Sequence, residues 1–368
     1  MGDRGVLTLH EDERPFWVAF HQVPYIGPAR FARLREHFGT LDAAWNASAR
    51  ELGEVLDQRA AESVARARAA FSPEREMERI ERLGISVLTI VDDDYPKLLV
   101  QIPAPPPVLY VKGAFTPADQ TAIAIVGTRR STSYGREVTT RLAREFAEAG
   151  VSVVSGLARG IDGAAHDAAL RGGGRTIAVL GSGVDIIYPP EHKNLAAQIV
   201  ENGAVISDYP PGRKPDAPNF PARNRIISGL SLGVVVVEAP ARSGTLITVD
   251  FAADQGREVF VVPGSVLSDN SAGGHRLLRD GARLVTCAAD VMDDLRIGER
   301  KEQAAVQQAL PLTDQERRLL NHISGDPQHL DELMIAAGLS IAEGSGLITM
   351  LELKGLIRDA GARHFVRS

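Results

Sequence analysis

Thr121-Ala-Ile-Ala-Ile-Val-Gly-Thr-Arg-Arg-Ser-Thr-Ser-Tyr-Gly135 opens a rhythm that decides the fold of this chain. Five apolar residues, 122–126, run unbroken into a glycine, and helix-compatible sequence follows. A strand without polar alternation is one buried on both faces. The pattern returns at 151–154, 176–180, 204–207, 232–237 and 258–262, with helix-length segments between most of these runs. The alternation predicts an α/β fold, a Rossmann-like parallel sheet covered on both faces. Ligands of such sheets sit where loops leave the strand carboxyl ends, so the turns become the candidate site.

Outward from this core the pattern changes. Residues 15–71 read as short helices, with Phe31, Leu34, Phe38 and Leu41 at helical spacing. Val23-Pro-Tyr-Ile-Gly-Pro28 looks like the turn of a helix-hairpin-helix, which offers backbone N–H groups to a phosphate. Pro28 replaces its usual second glycine, removing one donor; a packing role is the alternative. Residues 92–113, with Tyr95-Pro and Pro103-Ala-Pro-Pro-Pro107, read as an extended path across a surface, because proline opposes helix. A charged, Gln/Ala-rich linker follows the sheet region. The end reads as three helices, 313–324, 330–337 and 341–354, and a β-hairpin around Gly361, a winged helix. The expected division is a helical domain over 1–75 (helix-hairpin-helix or SAM-like), an extended Rossmann-like domain over 76–297, a linker over 298–310 and a winged helix over 311–368.

The totals exclude several classes. Among 368 residues there is one cysteine, Cys287, so an internal disulfide and a cysteine-type zinc site are out. The nine histidines form no metal-ligand spacing, and no metal or cofactor is expected. No stretch approaches the ~20 apolar residues of a membrane span. Acidic residues and Pro15 stand where a signal peptide has its apolar run, so a cytoplasmic protein is expected. A net charge of −6 argues against coating duplex DNA by bulk charge and leaves room for a local basic groove.

The turns carry the chemistry. Gly127-Thr-Arg-Arg130 sits at a strand's carboxyl end before a helix, where backbone N–H groups and the helix dipole suit a phosphate and Arg129 and Arg130 add charge. It is neither Gly-x-Gly-x-x-Gly nor a P-loop, so dinucleotide binding and P-loop ATP hydrolysis are not expected. The second turn holds Ser155, Gly156 and Arg159, taken as further DNA-contacting candidates, then Asp162 and His166, whose spacing fits a plain i,i+4 structural pair. In the third turn, Gly181-Ser-Gly183 and Tyr188-Pro-Pro190, the glycines serve tight geometry. The fourth loop, carrying Arg213 and Lys214, leads into Phe220-Pro-Ala-Arg-Asn-Arg-Ile-Ile-Ser-Gly-Leu-Ser231. A ring at Phe220, guanidinium forks at Arg223 and Arg225 and the amide of Asn224 are what a single nucleic-acid strand needs from its binder, a core position under the loop being the alternative for Phe220. One arginine is expected to face the ligand and the other to hold the loop, one of them pairing with a sheet-end carboxylate such as Glu238. Ser243, Gly244 and Thr245 open a helix and form a second anion site. The winged helix is a weak candidate for duplex reading. It carries six positive and eight negative residues, and its recognition helix, 340–354, has no arginine.

Taken together, Tyr95-Pro, Gly127-Thr-Arg129, Ser155-Gly-Leu-Ala-Arg-Gly-Ile-Asp162 with His166, Leu180-Gly-Ser-Gly183 with Tyr188-Pro189, Phe220-Pro-x-Arg-Asn-Arg-Ile226, Ser243-Gly-Thr245 and Val262-Pro-Gly264 resemble the bacterial DNA-processing protein A (DprA/Smf) family. The likeness runs over about residues 80 to 290. It implies a non-enzymatic single-stranded-DNA binder that protects incoming strands in natural transformation and competence, loads RecA in DNA recombination and forms a homodimer through the Rossmann-like domain. By motif, Arg129 and Phe220 would contact DNA, with glycines nearby. Many members have His before that Phe; this chain has Asn219. The alternative is a nucleotide phosphoribohydrolase with the signature Pro-Gly-Gly-x-Gly-Thr-x-x-Glu. Here Thr248 stands at its catalytic Glu and Arg242 at a glycine, against that reading. A nucleotide-sensing winged-helix regulator is the third possibility, at odds with the recognition helix.

Overall fold

The structure is a computed structural model that describes residues 13–299, 313–324, 327–354, 356–361 and 363–367. It forms two compact units, Met1–Val291 and Met292–Ser368. Most of the expected linker, 298–310, lies outside the described residues.

The first unit begins with six helices: α1 (Arg14–Gln22), α2 (Pro28–Phe38), α3 (Leu41–Asn46), α4 (Ala49–Val55), α5 (Gln58–Ala70) and α6 (Pro73–Arg82). Thr40, Ser48, Asp57 and Ser72 cap α3 to α6 by accepting backbone N–H groups. Trp17, Phe20, Phe31 and Trp45 form the aromatic centre, Trp17 and Phe31 lying 5.1 Å apart and Phe20 and Trp45 5.2 Å apart at right angles. This core continues without a break to Val108, Tyr110, Leu157 and Ala178 of the sheet region. In the candidate hairpin turn Tyr25 is exposed at φ +70°, Arg59 stacks on its ring at 4.4 Å and Arg30 donates to its carbonyl.

The sheet comprises β1 (Ser86–Thr89), β2 (Val108–Gly113), β3 (Ala122–Val126), β4 (Ser152–Ser155), β5 (Thr176–Val179), β6 (Gly203–Ser207), β7 (Gly233–Val236), β8 (Glu258–Val261) and β9 (Arg283–Leu284). Their order is β1-β2-β6-β5-β4-β3-β7-β8-β9. Strands β3 to β9 are parallel, as the unbroken apolar runs predict, and β3, β4, β5, β6 and β7 are buried along their length. Between them run α8 (Ser133–Glu148), α9 (Ile161–Arg171), α10 (Lys193–Glu201), α11 (Asn219–Gly229), α12 (Gly244–Asp254) and α13 (Ala272–Arg279), before α14 (Ala288–Asp294).

Residues 92–113 depart from expectation. Pro96 precedes a short helix, α7 (Lys97–Val100), and the following chain enters the sheet as β2 instead of crossing a surface. Strand β2 pairs antiparallel with β1 and β6, and Val108, Leu109 and Tyr110 are fully buried. Proline blocks helix only at interior positions, and four apolar residues after the proline run have more to gain in the core.

The second unit contains α15 (Asp314–Leu320), β10 (Gln328–His329), α16 (Leu330–Ala337), α17 (Ile341–Leu353), β11 (Ile357–Gly361) and β12 (His364–Arg367). Its sheet order is β10-β12-β11, a winged helix with one strand more than expected. Lys354 and Glu316, whose side chains are each 3% exposed, pair at 2.6 Å within this unit. Among the described residues no helix is long and apolar enough to cross a membrane.

Candidate nucleic-acid interface

The chain proceeds from β3 through β4 and β5 to β6 on one side, then returns to lay β7 on the other side of β3. The carboxyl ends of β3 and β7 therefore flank the switch point of the sheet, where connections diverge and leave a crevice. Gly127 follows β3 there. A Cβ on it would lie 2.5 Å from Ile161 Cγ1 and 3.0 Å from the Glu238 carbonyl oxygen, so only glycine lets these segments meet. Gly160, at φ +79°, brings the start of α9 against the same loop; a Cβ there would be 2.4 Å from the Thr128 carbonyl oxygen.

The helix end after Gly127 is not an open phosphate seat. Thr132 caps α8 by accepting the Gly135 N–H at 3.0 Å. Its own N–H and hydroxyl donate to Glu238 at 2.9 and 2.6 Å, and Glu238 is 4% exposed. The Thr128 N–H donates to the Glu238 carbonyl at 2.8 Å, and the Arg130 N–H to Thr128 Oγ1 at 3.2 Å. A carboxylate from β7's carboxyl end thus already occupies the positive end of the helix. This corrects the expectation that these N–H groups receive phosphate, and it removes Glu238 as a partner for the arginines of α11. At the second expected anion turn Ser243 caps α12 and takes the Thr245 N–H at 3.2 Å, leaving Gly244 exposed with open space about it.

What faces outward is side chain. Arg129 and Arg130 are exposed, and among the described residues neither forms an ion pair. The Arg129 guanidinium lies 5.3 Å from the centre of the Phe220 ring. Phe220 is half-buried, packs its edge over Gly181 and has the Tyr188 ring 5.5 Å away, inclined by 42°. Arg129, Phe220 and Tyr188 come from the turns after β3, β6 and β5, so three strand ends converge on one aromatic and cationic surface.

The segment from Phe220 is itself helix α11 rather than a loop. Pro221 falls in its first turn, where no intrahelical donor is lost. Arg223 and Arg225, two apart, consequently face different ways, and neither faces solvent as a free cation. Arg223 is 4% exposed and donates to the Gly156 carbonyl at 2.8 Å and to Asn224 Oδ1 at 3.1 Å. Burial lowers its guanidinium to about 10 against the opposing pull of Asp162, with Arg129 adding to the fall. Arg225 holds the loop: it pairs with Asp208 at 2.6 Å and donates to the Ala104 carbonyl at 2.8 Å. Arg225 thus takes the expected loop-holding part, while the expectation that the other arginine faces the ligand is corrected, because Arg223 is buried in the framework. Asn224 stays half-exposed, its amide 3.5 Å from the Gly244 carbonyl, and so joins α11 to the start of α12.

The second turn is framework. Ser155 is fully buried and donates to the Ile125 carbonyl at 2.6 Å, which corrects its expected ligand role. Gly156 is packed against Arg223, whose Nη2 would lie 2.2 Å from an added Cβ. Arg159 is half-exposed and paired with Glu191. Asp162 accepts the N–H groups of Gly156 and Ala158 at 3.2 and 3.3 Å, and burial raises its carboxyl. His166 lies 2.6 Å from Thr176 Oγ1, which itself donates to the Val153 carbonyl, so Nδ1 carries the proton. Burial drops its ring to about 3, helped by His192 and Arg223. Both are buried parts of the framework. Among the described residues no three His, Cys, Asp or Glu side chains gather to hold a metal. Sequence reasoning passed over the Tyr188 ring; an aromatic beside prolines at a strand's carboxyl end was its signal.

Comparison with known proteins places these observations. Residues 86–296 match the DNA recombination-mediator protein A family, and residues 303–362 match the DprA winged helix domain. Protein Smf of Synechocystis sp. is 35% identical over 97% of this chain and 99% of its own length. The X-ray structure of DNA processing protein A from Streptococcus pneumoniae superposes with a TM-score of 0.69 at 33% identity, covering 78% of this chain and 98% of that one. DNA processing protein A from Helicobacter pylori, whose structure concerns a unique single-stranded DNA binding mode, gives 0.52 at 31% identity over 58% of this chain and 96% of its own. With its sheet region and its winged helix both matched, this chain belongs to the DNA recombination-mediator protein A family.

Proposed function

We propose that this protein binds single-stranded DNA at the carboxyl ends of β3, β5 and β6 and acts there as a recombination mediator without catalysing a reaction. The carrying observation is the half-buried Phe220 ring with the unpaired Arg129 guanidinium 5.3 Å from its centre. An unpaired base stacks on the ring, its neighbouring phosphates meet Arg129 and Arg130, and Gly244 and Asn224 border the path. The single-stranded DNA binding mode described for the Helicobacter pylori protein supports the same ligand. The hydrolase reading loses further ground, because Thr248, at the position of its catalytic acid, is 2% exposed on α12.

By the same reading the bound strand is protected during natural transformation, RecA is loaded onto it, and the protein works as a cytoplasmic homodimer through the sheet unit. The three domains at 1–75, 76–297 and 311–368 divide this labour, with the winged helix docking protein rather than reading duplex DNA. A titration of oligo-dT against duplex, with AMP hydrolysis followed in parallel, tests the reading. Tight oligo-dT binding without AMP turnover is expected. AMP turnover would restore the hydrolase, and preference for one duplex sequence would favour the regulator. A monomer independent of concentration in sedimentation would contradict the dimer.

A further inference from the structure

Beside the Phe220 surface lies an open cleft of about 620 Å³ between the loop after β3, the start of α8 and the exposed sides of α9 and α10. Its walls differ in charge. One carries Arg129, Arg130 and Arg136, all exposed, and among the described residues none of the three forms an ion pair. Arg136 is folded over the turn instead, donating to the Ser131 carbonyl at 2.7 Å. The other wall carries Asp167, Glu191, Asn194 and Gln198. Its two carboxylates are already matched, Asp167 to Arg171 at 3.1 Å and Glu191 to Arg159 at 2.5 Å. Three neighbouring guanidinium groups without counter-charge, in a chain of net charge −6, leave an anion-shaped deficit along one wall only.

We infer that this cleft is a second subsite that takes the nucleotides next to the stacked base, extending the strand path from Phe220 across the start of α8; this rests on the proposed single-strand reading. Arg129 belongs to both sites, at the ring and on the cleft wall, and makes the path continuous. Phosphates run along Arg130 and Arg136. The amides of Asn194 and Gln198 offer donor and acceptor to whichever base arrives, so the subsite tolerates sequence. Gly163 keeps the floor open between the walls; a Cβ there would be 2.8 Å from His192 Cε1.

The test uses the full chain and oligo-dT of increasing length, comparing wild type, Arg136→Ala with Asn194→Ala, and Arg129→Ala with Phe220→Ala. The cleft variant should bind the shortest bound oligonucleotide as wild type does and lose severalfold affinity for longer ones. Its salt slope on long strands should fall by about 0.7, the loss of one phosphate contact. Wild-type affinity and slope at every length in the cleft variant, with the Phe220 variant still defective, would overturn the subsite alone. Undiminished binding by the Arg129 and Phe220 variant would overturn the parent reading.

Discussion

Glu238→Gln separates two uses of the helix end after β3. In the structure its carboxylate accepts from the Thr132 N–H at 2.9 Å and the Thr132 hydroxyl at 2.6 Å, and it is 4% exposed. Gly135 is glycine because a Cβ would lie 2.3 Å from Glu238 Oε2. A hydrogen bond to a charged group is worth about 1.5–3 kcal/mol, and a negative charge at a helix N-terminus adds about 0.3–1 kcal/mol. The amide keeps the shape, loses the charge and presents an N–H₂ group to one donor. The variant should therefore lose about 2 kcal/mol. For a unit of some 290 residues that is a fall of about 4 °C in the unfolding midpoint. Oligo-dT affinity should rise at low salt, because a negative charge leaves the neighbourhood of Arg129 and Arg130 while the helix end gains no competing anion. Calorimetry and fluorescence anisotropy on the same preparation read both numbers. Unchanged stability together with weakened DNA binding would refute the self-capped helix end.

Arg225→Ala should destabilise the first unit by about 1–3 kcal/mol, measured by urea unfolding, because Asp208 loses its partner and the loop at Ala104 its tie; strand affinity should change little. Lys354→Met should cost the winged helix about 3–5 kcal/mol in chemical denaturation, since it leaves the Glu316 carboxylate buried without its cation. Acid should unfold the first unit through His166 and His21, whose rings burial lowers to about 3 and about 4 from 6.5. The folded state holds both neutral, so their contribution is full above pH 6.5. It falls as pH drops toward 3 and 4, by up to about 1.4 kcal/mol per pH unit for each ring. His166→Gln should flatten the slope of stability against pH in that window.

The parallel sheet was legible because β3 to β7 are largely apolar runs buried on both faces, a pattern with few competing readings. The winged helix was legible from periodicity and Gly361, which sits at φ +91°. The Phe220 segment was assigned no helix, although a helix's first turn accepts Pro221. Taken as helix, the segment would have told that Arg223 and Arg225, about 200° apart around the axis, cannot share a face. Two facts needed the topology. Glu238 reaches the start of α8 only because β7 lies beside β3, and Ser155 turns inward only because β4 flanks β3 on the other side. Sequence spacing carries no strand order, so carboxylate and serine both passed as site chemistry.

The most direct measurement is the oligo-dT affinity of Arg129→Ala with Phe220→Ala beside wild type, with thermal unfolding confirming that both fold. Stacking on one ring is worth about 1–3 kcal/mol, so the ring alone should weaken binding about 5- to 150-fold, and loss of Arg129 should lower the salt slope by about 0.7. Binding below detection in the folded double variant is the expected result. Wild-type affinity with an unchanged salt slope would contradict the Phe220–Arg129 surface as the seat of the strand.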